Sequence, residues 1–208
     1  MIVDPLVLLA FVPAGLALNL TPGADMMFCL GLGLRSGPRP AIAASAGIAA
    51  GGMVHVTLAG LGLGAALAAL PWLFDVIRWI GVTYLLWLAW AALRRPAPSV
   101  ATPLSIPATR AFRQGLVVNL LNPKVILFVL AFVPHFVDPA RGAILGQFLI
   151  YGLILGLGGF VINGAVGMFA GGVGRRLATS ARFTRGLGYV SAAIFAGLAV
   201  RLALIQRS

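Results

Sequence analysis

Asn19-Leu20-Thr21-Pro22-Gly23-Ala24-Asp25 interrupts one long apolar run, and Asn119-Leu120-Leu121-Asn122-Pro123-Lys124 interrupts another. These two stretches hold one of the four acidic residues of the chain and its single lysine. Pro22 and Pro123 each remove an amide donor and clash with the preceding turn, and Gly23 loosens the first break further. Burying Asp25 or Lys124 unpaired at the centre of a bilayer would cost roughly 2.5–3.5 kcal/mol or more. Broken helices at corresponding places in two halves of a membrane protein point to a solute-binding site.

Composition sets the class. The chain of 208 residues is 61% hydrophobic and 9% charged, with mean hydropathy +1.04. Six apolar segments, at 5–34, 40–66, 71–93, 112–137, 143–172 and 183–206, approach or exceed the roughly 18–20 residues that span a bilayer. In hydrocarbon the backbone must satisfy itself, and unbroken Leu, Ala, Ile and Val runs lack the alternation of a barrel. The expected fold is an all-α polytopic membrane protein with six transmembrane helices. A cleaved signal peptide is not expected, because the only charge before the first run is Asp4 and that run continues past Asp25.

The net charge of +11 follows the membrane, not nucleic acid. Loops after spans one, three and five carry Arg35, Arg39, Arg94, Arg95, Arg110, Arg113, Arg175, Arg176, Arg182 and Arg185, against Arg78, Arg141, Arg201 and Arg207 on the other side. This positive-inside bias places the basic loops in the cytoplasm and both termini outside. Orientation and anionic lipid account for the charge without a nucleic-acid partner. Cys29 stands alone and reads as a small packing residue.

The two halves also resemble each other. Gly51-Gly52-Met53-Val54-His55 compares with Gly158-Gly159-Phe160-Val161-Ile162-Asn163, and Gly81 and Gly188 precede Arg94 and Arg201 by equal intervals. Together with the two Asn-Leu breaks, this predicts two inverted three-helix repeats, each with a broken first helix. The repeats cover 1–95 and 112–208, joined by a Pro-rich cytoplasmic linker at 96–111 containing Pro96, Pro98, Pro103 and Pro107. Gly47-x-x-x-Gly51, Gly60-x-x-x-Gly64, Gly152-x-x-x-Gly156 and Gly167-x-x-x-Gly171 predict close helix packing in spans two and five. Trp72 and Trp90 read as interfacial anchors, while Tyr84, Trp79 and Trp87 face lipid or protein.

The candidate substrate- and proton-binding residues are Asp25, Lys124, Asn19, Asn119, Asn122 and His55, with Thr21, Pro22, Gly23 and Pro123 forming the helix breaks. Asp25 and Lys124 either pair with each other, face water or bind something charged. Asn19 and Asn119 serve as donors to freed carbonyls or face a substrate. Asp25, at the start of the continuing half-helix and near a movable cation, suits proton exchange. His55, an imidazole able to donate or accept a proton, is either a proton or substrate contact or a satisfied interhelical residue. Asn163 reads as interhelical glue, and His135 as an interface residue.

Thr21-Pro22-Gly23-Ala24-Asp25 with His55, Gly81-Val82-Thr83-Tyr84-Leu85 with Arg94, and Asn119 to Lys124 followed by Phe128 and Pro134-His135-Phe136 resemble the signatures of the LysE/RhtB amino-acid exporters. The resemblance runs in order through nearly the whole chain. It departs at Ala24, where a second proline is usual, and at His135, where glutamine is frequent. It implies a bacterial inner-membrane exporter of amino acids or related metabolites, driven by proton antiport, without cofactor or metal. With Asp25 the only acid deep in the membrane, neutral or zwitterionic amino acids fit better than cationic ones. The alternatives are an exporter of a cationic amino acid or other small solute, and a non-transporting membrane scaffold. Two distant histidines and four aspartates supply neither a nucleophile with its base nor a metal cluster, so no enzyme is expected. A homodimer is compatible with so small a transporter.

Overall fold

The structure is a computed structural model that describes residues 2–69, 106–170 and 180–204, with scattered positions between 72 and 93. All described elements are helical: α1 (Pro5–Leu20), α2 (Ala24–Ser36), α3 (Pro38–Ala69), α4 (Ala108–Leu120), α5 (Pro123–Ala131), α6 (Ile144–Met168) and α7 (Ala181–Leu204). Short 3₁₀ turns at Val133–Phe136 and Pro139–Arg141 join α5 to α6. Among the described residues, α3 and α6 are long and apolar enough to cross a membrane singly. Two further candidate spans are bent pairs, α1 with α2 at 50° and α4 with the segment to Phe136 at 54°. The sixth expected span corresponds to α7. Most of the third span, Tyr84, Gly81, Arg94, Gly171 and the linker up to Ser105 lie outside the described residues.

Local sequence sets the helix ends. Asp4 caps α1 through a 2.9 Å bond from the Leu6 amide, and Pro5 takes the first helical position, where no donor is needed. Helix α4 begins at Ala108, inside the stretch read as linker. Pro107, with its extended backbone, stands at its N-cap, and the polar first turn Thr109-Arg110 hides the apolar periodicity there. Helix α6 starts after Gly142 and Ala143, both at positive φ.

Helix α1 shows why the bundle belongs in lipid. Phe11, Ala14, Gly15 and Leu18 are buried, while Leu6, Leu9, Leu16 and Leu20 lie exposed on the other side. A helix apolar on every face is at home only in protein or hydrocarbon. Trp72, Trp79, Trp87 and Trp90 are likewise exposed.

Helices α3 and α6 form the antiparallel centre, with Ala41 beside Gly167, Ala49 beside Gly156 and Val56 beside Gly152. The bent pairs pack around this centre, α2 touching both of its helices. Helices α1 and α2 lie against α6, and α4 lies against α3. Glycine makes the approach possible: a Cβ on Gly47 would strike the Phe112 carbonyl, one on Gly115 the Ala44 carbonyl, and one on Gly33 the Gly167 carbonyl. Of the glycine spacings read from the sequence, Gly47, Gly51, Gly60, Gly152 and Gly167 meet neighbouring helices closely, while Gly171 lies outside the described residues. Cys29 is fully buried in the same small-residue cluster as Ala41, Ala44 and Ala111.

Beyond the breaks, the Asp4 end of the bundle is filled by aromatics. Phe11 stacks 4.6 Å from Tyr151 and meets Phe136 edge-on at 5.1 Å, while Phe132 lies 4.8 Å from Phe128. Buried Gln147 staples the preceding loop, donating to the carbonyls of Asp138 and Gly142 at 2.8 Å each. Outside it, Arg141 bridges Asp4 at 2.9 Å and Asp138 at 3.2 Å. These pairs are about one-third to one-half exposed, so Arg141→Ala is expected to change the unfolding free energy by less than about 1 kcal/mol, read by thermal unfolding in detergent.

Candidate functional site

The two breaks meet at the centre. A helical carbonyl normally accepts from the amide four residues on, so Pro22 orphans the Leu18 carbonyl, while at the second break the Asn122 amide takes the place of the donor that Pro123 lacks, bonding the Asn119 carbonyl at 2.9 Å. The donor for Leu18 comes from the other break. The Lys124 ammonium donates to the Leu18 carbonyl at 2.7 Å and to the Thr21 carbonyl at 2.8 Å. The His55 ring nitrogen Nε2 lies 3.2 Å from the Asn119 carbonyl, which fixes that nitrogen as the protonated donor. Of the two readings the sequence left open for Asn19 and Asn119, donors to freed carbonyls or residues facing a substrate, both side chains line the cavity and neither bonds the Leu18 carbonyl. Asn19 instead donates across to the Leu155 carbonyl of α6 at 3.1 Å, and the Asn119 amide donates to Asp25 Oδ2 at 2.9 Å.

Charge placement follows helix ends. Asp25 sits in the first turn of α2, where the positive end of the helix favours an anion. Lys124 starts α5, the wrong end for a cation in its own helix, but its side chain reaches the negative C-terminus of α1. Asn122 caps α5 with a 3.0 Å bond from the Lys124 amide. Thr21 closes α1, its hydroxyl donating to the Ala17 carbonyl at 2.7 Å. Ala24 is the residue at which α2 begins after Gly23.

These groups line a cavity of about 40 Å³, room for a water or two but far below the roughly 300 Å³ of an ordinary small-molecule pocket. Asn19, Thr21, Asp25, Asn119, Lys124 and Asn163 form its polar side. Ile48, Gly52, Val56, Val125, Val129 and Leu155 form an apolar side. Asp25 and Asn119 are buried, yet Asp25 Oδ1 and Asn119 Oδ1 have no hydrogen-bond partner, nor does Asn122 Nδ2. Buried polar atoms of this kind mark a place where a further group is accommodated.

Five of the expected residues, Asn19, Thr21, Asp25, Asn119 and Lys124, thus share one cavity. His55, Asn122, Pro22, Gly23 and Pro123 stand behind them as supports and are not among its walls. A Cβ on Gly23 would lie 3.1 Å from the Lys124 nitrogen, so glycine makes room for that side chain. Asn163, read from sequence as glue, lines the cavity. Sequence reasoning missed the apolar wall and also Ser45, which donates to the Phe160 carbonyl at 2.9 Å. The positions 48, 52 and 56 at helical spacing carried the only signal for that wall.

Two interrupted membrane helices enclosing a buried polar cavity at their breaks are the architecture of a membrane transporter. The profile of the LysE type translocator matches residues 16–206. The chain belongs to this family of multi-pass membrane translocators, which are not enzymes. A leucine efflux protein of Enterobacter sp. (strain 638) is 32% identical over 193 residues, 90% of each chain. A homoserine/homoserine lactone efflux protein of Salmonella typhimurium is 32% identical over 146 residues, 69% of this chain and 70% of its own. An uncharacterized membrane protein of Vibrio cholerae is 36% identical over 147 residues, 70% of this chain and 71% of its own. No solved structure matches.

Proposed function

We propose that this chain exports neutral amino acids across a bacterial inner membrane in exchange for protons. The carrying observation is the Asp25 carboxylate, buried between the two breaks with Oδ1 unpartnered and Oδ2 held by Asn119. It is the acidic residue of the cavity, and Lys124 is its cationic one. A lining with one charge of each sign suits a zwitterion better than a cation. The ammonium of the substrate turns to Asp25 Oδ1 and Asn119 Oδ1, two buried acceptors with capacity to spare. Protonation of Asp25 weakens that hold and releases the substrate, which couples the two fluxes. The names of the leucine and homoserine relatives support an amino-acid cargo.

The same reading takes 1–95 and 112–208 as inverted repeats around a linker at 96–111. Exchanging span one with four and two with five should convert each contact of one break into a contact of the other. Asn19 packs against Gly158 and Gly159 of α6, where added Cβ atoms would fall 2.8 and 3.1 Å from its side chain. Asn119 packs against Gly51 of α3, with the corresponding distance 2.7 Å. The similar bends of 50° and 54° support the same exchange. Arginine-rich loops inside and both termini outside complete the proposed orientation.

The test is efflux from proteoliposomes loaded with a mixed amino-acid pool under an inward proton gradient. Selective loss of a few neutral amino acids is expected, falling by about tenfold or more in Asp25→Asn. Efflux that keeps its full gradient dependence in that variant removes Asp25 from coupling. No efflux from folded wild-type protein overturns the exporter reading.

A further inference from the structure

We propose that Gly52 sets the largest side chain this transporter accepts, and that an aliphatic substrate side chain lies along the Ile48–Gly52–Val56 face of α3. The inference rests on the amino-acid reading above and adds to it the part of the site that reads size. Ile48, Gly52 and Val56 recur at intervals of four, so they form one stripe of the helix, and all three line the cavity. Ile48 and Val56 are buried at 4% and 1% exposure. The stripe is therefore apolar above and below a position that has no side chain.

That position is unlike its neighbours. A Cβ added to Gly51 would fall 2.7 Å from Asn119 Oδ1, so Gly51 is required for packing the second break. A Cβ added to Gly52 would meet no atom within 4 Å. Gly159, its counterpart across the proposed repeat, has the Asn19 oxygen at 3.1 Å. Gly52 thus opens on the cavity without serving any contact in the protein. Val125 and Val129 of α5 and Leu155 of α6 line the same cavity and add to its aliphatic surface.

The polar end gives the direction. Asp25, 8% exposed, lines the same cavity and keeps one oxygen, Oδ1, without a hydrogen-bond partner. An ammonium held there leaves the side chain of the substrate to extend away from the charged groups, along the apolar stripe. A charged side chain would meet only hydrocarbon on that wall. At Gly52 the walls need the smallest movement to admit a branched side chain, and a residue larger than glycine takes up that volume.

Proteoliposomes carrying wild type, Gly52→Ala or Gly52→Val, loaded with equal amounts of alanine, valine, leucine and phenylalanine, test this through efflux ratios, whatever the absolute rates. The leucine-to-alanine ratio is expected to fall about threefold in Gly52→Ala and tenfold or more in Gly52→Val, the range that one or two methyl groups command in an apolar pocket. Gel filtration and thermal unfolding establish that each variant is folded. Should Gly52→Val fail that check, Gly52→Ala decides alone, since its methyl group touches nothing. Ratios unchanged from wild type, with efflux measurable, overturn the size filter and leave the exporter reading standing. Wild-type vesicles that release none of the four overturn the inference together with the reading beneath it.

Discussion

Efflux is expected to be lost, and about 2–5 kcal/mol of stability with it, when Lys124 is replaced by methionine. Methionine keeps the length of the side chain and removes its donors. The carbonyls of Leu18 and Thr21 then stay buried without the ammonium that now bonds them at 2.7 and 2.8 Å. Pro22 cannot substitute, because the amide that would have served Leu18 is the one it lacks. Lys124→Arg is expected to rescue poorly. The nitrogen lies so close to Gly23 that an added Cβ would stand 3.1 Å away, and a planar five-donor fork is broader than an ammonium. Thermal unfolding in detergent and proteoliposome flux check both substitutions. Full activity in Lys124→Met would show that the breaks hold together without the cation.

Gly47→Val is expected to destabilise the bundle by about 1–3 kcal/mol or more and to cut the yield of monodisperse protein. Its Cβ would strike the Phe112 carbonyl, and the reciprocal contact, Gly115 on the Ala44 carbonyl, fixes α4 against α3 at the same crossing. Neither obstruction is a flexible side-chain tip that swings aside. Gly62→Ala, on the same helix, serves as the control, since a Cβ there meets nothing within 4 Å. Equal yields and unfolding temperatures for the two variants would remove the close crossing as a determinant of stability.

Much of this arrangement is legible before any coordinates. Proline and charge inside an apolar run have few tolerable explanations, so the breaks at Pro22 and Pro123 and their proximity to Asp25 and Lys124 follow from the sequence. The helix limits follow from hydropathy except at α4, where Arg110 and Arg113 mask a start fixed by Pro107. What Lys124 holds was not legible, because its partners are backbone carbonyls and every residue has one. Nor was the contact of His55 with the Asn119 carbonyl, because the sequence does not show which helix passes within reach of the second break. The apolar wall was hidden for the opposite reason. In a chain that is 61% hydrophobic, a valine facing the cavity looks like a valine facing lipid.

One ammonium joins the two breaks: Lys124 belongs to the second interrupted helix, and both of its carbonyl partners belong to the first. Together with the Asn119 amide on Asp25 Oδ2, it pins the two elbows to each other, and neither straightens without either carrying the other or letting go of it. A displacement introduced at either elbow is thereby carried to the other through the same few hydrogen bonds.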